Sequence, residues 1–277
     1  MEYENRPAPE GINVTDQHPL VDFFWMLATV ALLATVLIVT LSLSAGWLAR
    51  QIPMAQENRW AEAFSAQRPV DLSETALRKQ RFLQELADRL SPVMALEPDT
   101  IIKVHYIEED DVINAFATLG GNIVIYSGLI NTADTENALA MVMAHEIAHI
   151  KHRDPIMALG RGVAVALGLS AIGGLSDTAM AQQVLGNVGL LTALSFSRAQ
   201  EHAADEEAIA ALLALYGHLN GAATVFEKLQ SREADLVPEI LTTHPLTEKR
   251  IDRLVQATVV QGDGEATALP DWLKQPD

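Results

Sequence analysis

Ala138-Leu139-Ala140-Met141-Val142-Met143-Ala144-His145-Glu146-Ile147-Ala148-His149-Ile150-Lys151-His152 is the stretch on which the reading of this 277-residue chain turns. Its apolar first half has the composition of a buried helix, which would hold whatever follows rigidly. Residues four apart share a helix face, so the imidazoles of His145 and His149 can reach one ion. Glu146, one step from His145, is placed to act on a water at that ion rather than to bind it. An exposed helix with two solvated histidines is the bland alternative, and the apolar run argues against it.

A site of this kind needs a third protein ligand. His152 is excluded by geometry, because three side chains strung over about 10 Å of one helix cannot all approach an ion at about 2.1 Å. Ser197-Arg198-Ala199-Gln200-Glu201-His202-Ala203-Ala204-Asp205 supplies a better one. Glu201 would ligate zinc, and Asp205, one turn later, would accept the free N–H of a ligand histidine. An ordinary acidic helix surface is the alternative, of which Glu206 and Glu207 are examples. His202 points about 100° from Glu201 and is not a ligand.

Composition narrows the chemistry. There is no cysteine, so thiolate nucleophiles, disulfides and cysteine-built metal sites are absent. With 36 Asp and Glu against 19 Lys and Arg, the net charge of −17 excludes a nucleic-acid partner, which needs a basic stripe. The 49% hydrophobic content is unevenly spread. From Phe23 to Leu48 no residue is charged, and a helix of that length spans roughly 39 Å, more than a hydrocarbon core of about 30 Å. Trp25 and Trp47 stand near its ends, as interfacial rings do. The preceding residues are acidic and the run exceeds a signal-peptide core, so an uncleaved single-pass anchor in a lipid bilayer is expected. Arg50, Arg59 and Arg68 lean toward a cytoplasmic C-terminal domain, too weakly to decide the side.

Ser73 reads as the N-cap of a helix to about Leu90, ended by Ser91-Pro92. Ile101–Ile107, Val112–Thr118 and Asn122–Tyr126 read as strands, the last two joined by a turn at Leu119-Gly120-Gly121. Further helices are expected at Glu136–His152, Ala199–Tyr216, Ala222–Arg232 and Thr247–Thr258. The class is α+β: a mainly helical domain with a small sheet, preceded by one transmembrane helix. The expected organisation is an acidic tail (1–22), an anchor (23–48), a polar linker (49–72), a catalytic domain (73–258) and a loose acidic tail (259–277). Within the domain, 156–194 is an apolar insertion. Its uninterrupted part, Gly162–Leu175, is short for a span, so a hairpin leaning on the bilayer or covering the cleft is expected.

His145-Glu146-x-x-His149, Ser197-Arg198…Glu201-x-x-Ala204-Asp205 and Thr243-His244-Pro245, taken in order, resemble the gluzincin metallopeptidases that include HtpX, the CAAX prenyl proteases and the periplasmic chaperone-proteases. Asn114–Gly121 and Ser127-Gly128-Leu129 are similar to that family's strand before the active-site helix, with Leu119 where many members have proline. The resemblance covers roughly Leu77 to Val255. It implies a zincin-type fold, one Zn2+ per chain on His145, His149 and Glu201, and Glu146 as general base. It also implies that a protein or peptide substrate lies along the strand of Asn114, Ala115, Phe116 and Gly121. His244, and with it Arg250, would stabilise the oxyanion, or His244 would block the zinc. A membrane-anchored endopeptidase for membrane or misfolded envelope proteins follows. A chaperone or scaffold with a structural or blocked zinc site is the competing reading, and Glu146 argues against it. A prenyl-protein protease would need several spans.

Overall fold

The computed structural model describes residues 19–65, 73–173, 196–231, 244, 248–260 and 264–275. The chain is α+β. Helix α1 (Pro19–Ala49) contains Leu20–Ala49, the one helix among the described residues long and apolar enough to cross a membrane. The segment expected to be a linker instead contains helix α2 (Met54–Ser65). Its polar composition hid that helix, whose buried groups meet residues far away in sequence.

Helix α3 (Glu74–Val93) starts where expected, with the Ser73 side chain accepting from the Ala76 N–H at 3.0 Å. It runs one residue past Pro92, whereas the sequence reading stopped it at Ser91-Pro92. In a last turn, proline removes a single backbone bond, and the buried stripe Leu83, Leu86 and Leu90 holds the helix onto the core. Strands β1 (Lys103–Ile107), β2 (Ala115–Ala117) and β3 (Asn122–Tyr126) form a sheet of order β1-β3-β2, with β1 parallel and β2 antiparallel to β3. The short β2 is therefore an edge. Helix α4 (Ser127–Thr132) leads into α5 (Glu136–Lys151), which is capped by Thr135.

Helix α5 is buried along nearly its whole length, between β2, α3 and α7 (Arg198–Tyr216). Helix α7 opens with a Ser197–Gln200 capping box and stops at Gly217, whose φ of 78° is the left-handed conformation a helix end requires. Helices α8 (Thr224–Ser231) and α9 (Glu248–Val260) complete the core. Helix α6 (Asp154–Gly173) turns straight back from α5 and packs against α1. A Cβ added at Gly160 would lie 2.8 Å from both the Ala45 carbonyl and Ala49, so the two helices touch through small residues. The first half of the apolar insertion thus lies along α1; Val184–Leu194 falls outside the described residues.

The tail expected to be loose is docked. Thr267 pairs with the start of α5 in both directions: the Glu136 N–H donates to its carbonyl and its own N–H donates to Asn137 Oδ1, each at 2.8 Å. Leu273 is buried in the main core, Trp272 packs edge-on to Phe82, and the Arg78 guanidinium lies 4.0 Å over the Trp272 ring. Acid-rich composition concealed two apolar anchors, Leu273 and Trp272, and a backbone pairing.

Candidate metal centre

The buried central helix α5 delivers His145 and His149 to one spot, and α7 delivers Glu201 opposite them. His145 Nε2 lies 3.1 Å from His149 Nε2 and 3.5 Å from Glu201 Oε2, and His149 Nε2 lies 3.5 Å from Glu201 Oε1. His244 joins them: its Nδ1 is 3.3 Å from His145 Nε2 and 3.0 Å from Glu201 Oε1. Donors about 2.1 Å from a tetrahedral ion stand about 3.4 Å apart, and these separations, which draw on both Glu201 oxygens, lie close to that spacing. All four residues are buried, and each offers a ligand atom within 4.8 Å of the other three. The donor set fits a metal ion. Thr243 and Pro245 lie outside the described residues.

Partners on the far side orient both α5 imidazoles. His145 Nδ1 is 3.1 Å from Asp205 Oδ1, the contact expected of Asp205. His149 Nδ1 is 2.8 Å from Asp154 Oδ2, and the Gln200 amide donates to the other Asp154 oxygen. Phe196 stacks on the His149 ring with centroids 4.1 Å apart. Asp154, Gln200 and Phe196 were missed in the sequence. Asp154-Pro155 had the form of a helix start, proline being favoured in a first turn, but was read only as the end of α5.

Charge is concentrated here. Burial alone would lower the His145 pKa, but hydrogen bonds to Asp205 and Glu201 outweigh it and raise it to about 9. Burial would likewise raise Glu201, and the three surrounding imidazoles instead hold it far below the usual carboxylate range.

Arg250, expected beside His244 as an oxyanion donor, meets two carboxylates. Its Nε and Nη2 donate to the two oxygens of Asp205 at 2.8 Å each, and Nη1 lies 2.5 Å from Glu201 Oε2. The guanidinium is directed at the carboxylates behind the ligands. A six-residue offset from His244 could not reveal this, because the fold of α9 against α7 decides it.

Glu146 faces the other way, toward the sheet. The Thr118 N–H bonds to Asn122 and the Asn114 carbonyl to Tyr126, so alternation turns the backbone groups of Ala115 and Ala117 away from β3, onto the free edge. There the Ala117 N–H donates to Glu146 Oε2 at 2.8 Å. The other oxygen, Oε1, has no hydrogen-bond partner among the described residues and lies 3.5 Å from His244 Nε2. Asn114 is buried at the start of β2, and Phe116 packs against Tyr126. Gly121, expected with them, belongs to the turn instead: a side chain there would run into the Ile101 carbonyl.

The chain is similar in sequence to several known proteins. The chain is 37% identical over 158 residues to the beta-barrel assembly-enhancing protease of Escherichia coli K12, covering 53% of this chain and 32% of that protein. It is 30% identical over 155 residues to the mitochondrial metalloendopeptidase OMA1 of Arabidopsis thaliana, covering 56% and 31%. It is 33% identical over 160 residues to the metalloprotease LoiP of Escherichia coli K12, covering 54% and 59%. The first two relatives are thus matched over about a third of their length. Residues 77–258, which carry helices α5 and α7 and His244, match the profile of Peptidase family M48, and the chain belongs to that family.

Proposed function

We propose that this chain is a membrane-anchored, zinc-dependent endopeptidase that cleaves extended segments of membrane or misfolded envelope proteins. One observation carries the reading: Glu146 bonds the free edge of β2 while the adjoining His145, His149 and Glu201 donors stand at tetrahedral spacing. A purely structural site has no use for a carboxylate between the ligands and the outer edge of β2, which pairs with no strand among the described residues. The substrate class follows from α1 and from the names of the relatives.

His145, His149 and Glu201 would hold the ion. Zinc would supply Lewis acidity and a water acidified to a pKa of about 7. A peptide added as a strand along Ala115–Ala117 would pair its backbone with the groups that face the cleft. Glu146 Oε1, without a hydrogen-bond partner among the described residues, is the atom to take the proton from water and pass it to the leaving amine.

His244 bears on a second reading. Its Nδ1 stands at the fourth corner, where a catalytic site keeps an open position, so this geometry is closed. Either His244 withdraws when substrate arrives, or the site is structural and the chain a scaffold. The purified full chain should carry about one zinc, consistent with a single four-donor site, and should cleave unfolded casein. Glu146→Gln should abolish cleavage and keep the metal; cleavage that survives would overturn the mechanism. Full zinc retention in Glu201→Ala would remove the third ligand. Faster cleavage in His244→Ala identifies a gate, slower cleavage an oxyanion donor. No cleavage in either protein, with zinc retained, identifies the scaffold.

A further inference from the structure

Helix α2 lies before residue 77, where the family match begins, yet one of its side chains reaches both walls of the cleft. Glu57 is 3% exposed. Its Oε1 accepts the Gly120 N–H at 3.0 Å, in the turn that ends β2. Its Oε2 lies 2.9 Å from Arg153 Nη2, at the exit of α5. Arg153 also donates to the Ile52 carbonyl, ahead of α2, and stands directly before Asp154, the partner of His149.

Both bonded positions are left-handed reversals. Gly120 has a φ of 70° and Arg153 a φ of 66°, the left-handed region that residues with a Cβ avoid. At Gly120 an added Cβ would sit 2.8 Å from Ala61 Cβ and 3.1 Å from Asn58 Cα, so α2 rests directly on the turn. An ion pair made only for stability would need Arg153 alone. Here the second oxygen is committed to a backbone amide on the opposite element, 63 residues from Glu57 in sequence.

We propose that Glu57 is a positioning residue that fixes the edge strand β2 relative to the end of the metal-binding helix. It thereby makes α2 part of the cleft. The separation it sets is the one a bound peptide must span between the free edge and the ligand histidines. The inference rests on the peptidase reading above.

The test uses the full chain in detergent micelles: wild type, Glu146→Gln, Glu57→Ala and Glu57→Gln. Cleavage of unfolded casein gives kcat and KM, and hydrogen exchange reports on residues 117–121 and 150–154. In Glu57→Ala, KM should rise about fivefold or more with zinc content unchanged, because strand placement, not metal binding, is lost. The Gly120 amide should exchange about tenfold faster once its charged acceptor is gone. Glu57→Gln keeps an oxygen for Gly120 and loses the charge facing Arg153, so it should restore protection at 117–121 but not at 150–154, with a KM between those of wild type and Glu57→Ala. If Glu57→Ala does not fold, the exchange contrast within Glu57→Gln decides, and equal wild-type protection at both segments overturns the proposal. So does a Glu57→Ala protein whose KM and Gly120 exchange stay within about twofold of wild type, or whose activity falls only with its folded fraction at unchanged KM. A wild-type protein that cleaves nothing refutes the peptidase reading instead, and the exchange results still decide whether Glu57 ties the two elements together.

Discussion

Arg250 separates two accounts of the site, and replacing it with alanine distinguishes them. The side chain is 4% exposed and meets Asp205 through two nitrogens and Glu201 through the third. Burial would weaken its charge, but the hydrogen bonds and charges of Asp205 and Glu201 hold its pKa above the ordinary arginine value. Removing it leaves two buried carboxylates without their cation, and breaking such a pair from one side costs about 3–5 kcal/mol. For a domain of this size each kcal/mol moves the melting temperature by about 2–4 °C, so Arg250→Ala should melt about 10 °C lower. Arg250→Lys can face only one carboxylate at a time and should recover part of that loss. A bound divalent ion offsets the Glu201 charge, so the deficit should be smaller with excess zinc than with a chelator. Thermal unfolding under both conditions, with kcat and KM beside it, reads all of this. The reasoning is refuted if Arg250→Ala melts within about 1 kcal/mol of wild type while kcat falls about a hundredfold at unchanged KM. Those numbers would make Arg250 the oxyanion donor that its place in the sequence suggested.

Three further outcomes are expected. Asp154→Asn should lower metal affinity about 10–100-fold in a chelator competition, because His149 loses the carboxylate that orients it; unchanged affinity would remove Asp154 from the site. Leu273→Ala should cost about 2–4 kcal/mol in denaturant unfolding, since this tail residue is 1% exposed in the main core; a loose tail would show no change. The Tyr216 hydroxyl donates to Glu136 Oε1 at 2.7 Å, and burial, then that bond, raises its pKa above 10.0. The unfolded tyrosine ionises first, so its contribution to stability is complete below pH 10 and is lost as pH rises beyond it. Tyr216→Phe should flatten that alkaline decline in the denaturation midpoint, and an unaltered slope would assign the decline to other groups.

Local periodicity made much of this protein legible. His145 and His149 share a face because of helix geometry, Glu201 and Asp205 do so for the same reason, and β-branched alternation marked the strands. Each signal lies within a few residues, so the sequence reports it without the rest of the chain. Glu57 was not legible, because an acid in a polar stretch looks solvated until a turn 63 residues on covers it. Asp154 looked like a helix terminator, and the acid-rich tail hid Leu273 and Trp272.

By itself the sequence determined the class of chemistry. Without cysteine, only imidazole and carboxylate remain as strong ligands, and helix spacing aims them at one ion. Only the tertiary structure decided the roles of the charges around that ion. Arg250 lies behind Glu201 and Asp205, His244 at the fourth corner, and Glu146 against the strand edge. The physical reason is that a buried charge must be matched within hydrogen-bond distance, and the packing of distant helices alone determines which partner is there.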